Sequence, residues 1–97
     1  MAYADPTERA AFIGGLRDLA DYLESNPDVP APIYSHVFVF PPDGDWAVMR
    51  ADIDTVAARL GVISYSSGMN HYLATRSFGP VEYRAVAIPR RDDNESE

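Results

Sequence analysis

HYLATRSFGPVEYRAVAI, residues 71–88, decides how this chain is built. Polar and apolar side chains alternate up to Gly79-Pro80 and alternate again after it, the period-2 pattern of two strands joined by a tight turn. With Gly79 and Pro80 as the two turn residues, Phe78 faces Val81, Arg76 faces Tyr83, Ala74 faces Ala85 and Tyr72 faces Ala87. His71, Leu73, Thr75, Ser77, Glu82, Arg84, Val86 and Ile88 then share the opposite face. A longer turn shifts this register by one residue and exchanges the faces, so both registers stay open at this point.

Upstream of the hairpin, residues 62–70 (VISYSSGMN) read as a loop with a short strand at its start. Before it, Met49, Ile53, Val56 and Leu60 recur at helical spacing, with Asp45 placed to cap the helix and Gly61 to stop it. Asp52, Asp54 and Arg59 fall on its wet side. PPDGD, residues 41–45, is a turn. Residues 33–40 (IYSHVFVF) are β-branched and aromatic, and read as a strand with Ile33, Val37 and Val39 on one face and Tyr34, His36, Phe38 and Phe40 on the other. Apolar groups on both faces predict at least partial cover on both sides.

The first element begins at Asp5-Pro6-Thr7-Glu8: an N-cap, a proline at the first helical position and an acid at N3. Phe12, Leu16, Leu19 and Leu23 form its apolar stripe, widened by Ile13 and Ala20. Pro27, Pro30 and Pro32 end it and stiffen the connector.

The element order α-β-α-β-β predicts an α+β, two-layer domain over residues 1–91: a three-stranded, mainly antiparallel sheet with two helices on one face. Placing the last strand in the middle is expected to make the sheet fully antiparallel. Its second face is then exposed, with Phe38, Phe40, Tyr72, Phe78 and Tyr83 as candidate aromatics on it.

Composition narrows the chemistry. A chain of 97 residues with 46% hydrophobic and 11% aromatic residues supports one core. No apolar run approaches the roughly 18 residues of a membrane span, and the acidic start lacks the pattern of a signal peptide, which predicts a cytoplasmic protein. The absence of cysteine excludes disulfides, thiolate catalysis and cysteine metal sites. All basic residues are arginine, which removes Schiff-base and Walker-lysine chemistry. The net charge of −7 makes nucleic acid an unfavourable partner, and residues 92–97 read as an acidic disordered tail.

No catalytic or metal-binding set emerges. His36 and His71 have no ligand at a metal spacing; His36 reads as a hydrogen-bonded core residue and His71 as an exposed group at a strand mouth, a general base lacking a nucleophile to serve. No serine stands in a nucleophile elbow, and no glycine-rich phosphate loop or calcium loop is present. No cofactor is expected. The polar set to watch is His71, Tyr72, Arg76, Glu82, Tyr83 and Arg84, where two arginines and a tyrosine on neighbouring strands can fork an anion. The plain alternative is that Glu82 pairs with an arginine of the hairpin.

RSFGPVEYRAVAI, after LRDLADYLESNPDVP and a helix ending AARLGV, resembles small uncharacterised proteins of actinobacteria and their phages over residues 10–90. That resemblance implies no activity, ligand or catalytic residue, and is consistent with arginine-only basicity. The leading expectation is a small protein-interaction module, phage-encoded and directed at a host protein or pairing with its own copy as a homodimer. The second is a binding module for a small anionic ligand or nucleic acid through the hairpin arginines. An enzyme ranks third, for want of a convergent acid, base and nucleophile.

Overall fold

The computed structural model describes residues 3–89, so Arg90, Arg91 and the acidic segment 92–97 lie outside the described residues. The elements are α1 (Pro6–Ser25), β1 (Ser35–Val39), α2 (Trp46–Leu60), β2 (Tyr65–Ser66), β3 (Tyr72–Phe78) and β4 (Val81–Ala87). They fall into two compact units, residues 4–33 and a sheet unit that holds Tyr3 and the chain from Tyr34 onward.

The 4–33 unit is α1 and its connector. The Asp5 side chain accepts from the Glu8 N–H at 2.8 Å while Glu8 accepts from the Asp5 N–H at 2.9 Å, a reciprocal capping box with Pro6 behind it. The helix ends at Asn26, whose side-chain amide donates to the Tyr22 carbonyl at 2.8 Å, and Pro27 cannot continue it. None of its residues is buried; Phe12, Leu16 and Leu19 of the stripe stay exposed.

In the sheet unit, β4 lies inside a four-stranded sheet ordered β1-β4-β3-β2. β3 and β4 pair antiparallel with Phe78 opposite Val81, Arg76 opposite Tyr83, Ala74 opposite Ala85 and Tyr72 opposite Ala87, the register that a Gly79-Pro80 turn dictates. Gly79 sits at φ 62° and proline follows, which suits the turn that demands positive φ at its first central residue only. Two expectations are corrected here. The sheet has four strands rather than three, because Tyr65–Ser66 pairs with Tyr72 and Leu73. It is mixed rather than antiparallel, because β1 runs parallel to β4, from Ser35 opposite Val81 to Val39 opposite Ala85. The extra strand is the reason: β2 runs antiparallel to β3 and β3 to β4, so β2 adds one reversal of direction before β4, which then runs with β1.

α2 covers one sheet face. Asp45 accepts from the Val48 N–H at 2.9 Å to start it, and Gly61, at φ 74°, donates to the Ala57 and Ala58 carbonyls to end it. Met49, Ile53 and Ala57 are buried against Ala74, Ala85 and Ala87 of β3 and β4. Three alanines on the sheet bring the helix axis close, so Ala57 takes the buried place expected of Val56 and Leu60, which pack at the margin instead. Ile53 is fully buried, worth roughly 1.5–3 kcal/mol. Among the described residues of the sheet unit α2 is the one helix; α1 belongs to the 4–33 unit.

Candidate functional site

The hairpin register divides the six polar candidates between the two faces. Tyr72, Arg76 and Tyr83 stand with Ala74 and Ala85 on the α2 face; Glu82 and Arg84 stand on the other; His71 precedes β3. The two arginines therefore cannot fork one anion. Each is also engaged. Arg76 donates from Nη1 to the Leu60 carbonyl at 3.2 Å and lies over the Phe78 ring at 5.2 Å, which places a cation at the C-terminal end of α2. Arg84 holds Glu82 through Nη2 at 2.7 Å and Nε at 3.0 Å.

Tyr72 enters a different cluster. Its hydroxyl donates to Asp54 Oδ1 at 2.6 Å and lies 2.8 Å from Ser64 Oγ, which donates to the same carboxylate oxygen at 2.5 Å. Arg50 lies over the Tyr72 ring at 5.0 Å. The hydrogen bonds from Ser64 and then Tyr72, helped by Arg50, hold the Asp54 carboxyl below its ordinary pKa. The trio fastens α2, β3 and the connector between them, and a carboxyl held below its ordinary pKa is a weak base toward either hydroxyl. Sequence reading put Asp54 on a wet helix face and Ser64 in a loop; no spacing signal joins them. His71 is half-buried, and its backbone closes the β2–β3 turn: its carbonyl accepts from the Ser67 N–H at 2.8 Å and its N–H donates to Ser67 Oγ at 3.3 Å. On the α2 face, burial, then Asp52 and Tyr83, push the Tyr3 phenol above its ordinary pKa.

The face opposite α2 carries the features that suit recognition. Strand alternation and the β1–β4 register place Tyr34, His36, Phe38 and Phe40 on it as one row. Tyr34 meets His36 edge-on at 5.7 Å between centroids, His36 meets Phe38 at 5.7 Å, and Phe38 stacks on Phe40 at 6.1 Å. His36 is not a core residue: its Nε2 lies 3.4 Å from Glu82 Oε1, and Glu82 is already fastened to Arg84. Tyr34 is 68% exposed and Phe38 49%. Leu73 and Val86 lie opposite each other on this face in β3 and β4 and are buried. The aromatic set expected here is thus corrected: Phe38 and Phe40 belong to it with Tyr34 and His36, while Tyr72, Phe78 and Tyr83 face α2.

Among the described residues, no helix is long and apolar enough to cross a membrane, and no three His, Asp or Glu side chains gather as a metal site. No protein-family model, curated protein or solved structure matches the chain.

Proposed function

We propose that this chain is a small cytoplasmic protein-interaction module that engages another protein through the sheet face opposite α2. The observation that carries this reading is the aromatic row of exposed Tyr34, His36 and Phe38, ending at half-buried Phe40, beside the ion-paired Glu82 and Arg84. Aromatic surface ringed by a few satisfied charges is the composition of a protein interface core with its polar rim. The resemblance to proteins of actinobacteria and their phages supports a host protein as the target. The competing reading, a site for an anionic ligand or nucleic acid built on the hairpin arginines, is disfavoured because Arg76 and Arg84 occupy opposite faces and are both engaged.

The test is affinity capture from host lysate with nuclease treatment, comparing the wild type with Phe38→Asp and with the Arg76→Ala/Arg84→Ala double variant. A stoichiometric protein that survives nuclease, is lost with Phe38→Asp and is kept by the double variant supports the reading. Recovery of nucleic acid alone, or of no other protein, overturns it.

A further inference from the structure

The two edges of the sheet are unlike. β2 is two residues long, and a short edge strand gives little template for pairing. β1 is longer and carries none of the devices that keep an edge solitary. From 33 to 40 the chain holds no Asp, Glu, Arg or Pro, and prolines stand only outside it, at Pro32 and Pro41. Which backbone groups face outward follows from one bond. The Ser35 N–H donates to the Pro80 carbonyl at 3.0 Å, so Ser35, Val37 and Val39 direct their peptide groups toward β4. Tyr34, His36, Phe38 and Phe40 direct theirs to the outer edge, which no described strand pairs.

We infer that β1 pairs antiparallel with β1 of a second copy about a two-fold axis at Val37, joining two sheets into one of eight strands. This inference rests on the reading of the β1 face as an interaction surface, and names one occupant of its edge. The outward groups are symmetric about Val37: in this register His36 and Phe38 of one copy exchange hydrogen bonds with Phe38 and His36 of the other, and Tyr34 does so with Phe40. A shift of the centre to Phe38 brings Pro42 opposite Tyr34, where the proline has no N–H to give, and a shift to His36 leaves Phe38 without a partner inside β1. Charge agrees as well. The chain carries −7, and two copies repel at most surfaces, but this strand is free of acids and its neighbour Glu82 is neutralised by Arg84 at 2.7 Å. The aromatic rows of the two copies then run side by side on one face, His36 against Phe38, so pairing enlarges the surface offered to a further partner. A contact of one strand a side is small against the roughly 20–30 residues of a standard interface, so the dimer is reversible and concentration-dependent.

The experiment is sedimentation equilibrium of the full chain over a wide concentration range, with three variants. The wild type shows a monomer–dimer equilibrium. His36→Ala, which keeps the outward N–H, retains it, and His36→Pro, which removes that N–H where an edge strand tolerates proline, weakens it by about tenfold or more. Val37→Cys, in a chain with no other cysteine, forms a disulfide-linked dimer on mild oxidation, because residues facing each other across the axis have Cα atoms about 4.5 Å apart, within disulfide reach. Val39→Cys does not, since its copies lie far apart along the strands. The cross-link needs no variant that perturbs the edge backbone, so it stands even if His36→Pro fails to fold. A wild type monomeric at all concentrations, or a dimer in which Val37→Cys does not cross-link or Val39→Cys cross-links as readily, overturns the pairing. Neither result depends on capture of another protein, so this inference and the proposed function fail separately.

Discussion

The Tyr72 hydroxyl donates to the Asp54 carboxylate across 2.6 Å, tying the first residue of β3 to the middle of α2. Ser64 donates to the same oxygen from the connector between them. The arrangement is a fastener at the surface of the core, and its worth depends on Asp54 remaining ionised.

Tyr72→Phe removes one hydrogen bond and keeps the ring under Arg50. The expected loss is roughly 0.5–1.5 kcal/mol, read from the urea midpoint. Because the folded-state pKa of Asp54 is lowered, its contribution is fully present above its unfolded value and is lost as pH falls through the folded value. The difference in stability between wild type and Asp54→Asn is therefore greatest at neutral pH and shrinks on acidification below the ordinary carboxylate range. A difference that grows on acidification contradicts the assignment.

Ile53 is fully buried on the three-alanine platform of Ala74, Ala85 and Ala87. Ile53→Ala is expected to cost about 2–5 kcal/mol through lost burial and an unfilled cavity. Ala74→Leu, which thrusts volume into the close helix–sheet contact, is expected to cost about 1–3 kcal/mol or more. Chemical denaturation of both variants checks the geometry. Tolerance of Ala74→Leu would mean that α2 does not sit close on these alanines.

Much of this was legible in the residues. Gly79-Pro80 marked the hairpin while leaving two registers open, and Asp5 and Asp45 marked both helix starts, because turn and cap chemistry acts over three or four neighbours. What the sequence left open depended on distant contacts. Alternation assigned Tyr34, His36, Phe38 and Phe40 to one face but could not say which face α2 would cover, so Tyr72, Phe78 and Tyr83 were grouped with them. Ala57 outranks Val56 in burial because the alanines of β3 and β4 draw that side of α2 inward, which no pattern within the helix reveals. The Ser64–Asp54–Tyr72 cluster joins three segments whose polar residues look unrelated along the chain.

Asp45 accepts from the Val48 N–H, and its loss leaves the first turn of α2 without a side-chain cap. Asp45→Ala is expected to lower stability by about 1 kcal/mol, and Asp45→Ser to recover most of that. Thermal unfolding of the two variants decides the point: equal losses would show that the carboxylate acts by charge rather than by capping.

Arg76 and Arg84 stand on opposite faces, the first at the Leu60 carbonyl and the second at Glu82. Arg76→Ala removes a cation from the end of α2, worth about 0.3–1 kcal/mol. Arg84→Ala breaks a partly exposed ion pair, worth about 1 kcal/mol at most. Groups that share no partner act independently, so the double variant should lose the sum of the two within about 0.5 kcal/mol. In parallel, titration with inorganic phosphate should leave the amide resonances of β3 and β4 in place. A coupling well beyond that margin, or phosphate-induced shifts centred on both arginines, would show the two acting on one anion and would return the ligand-binding reading to first place.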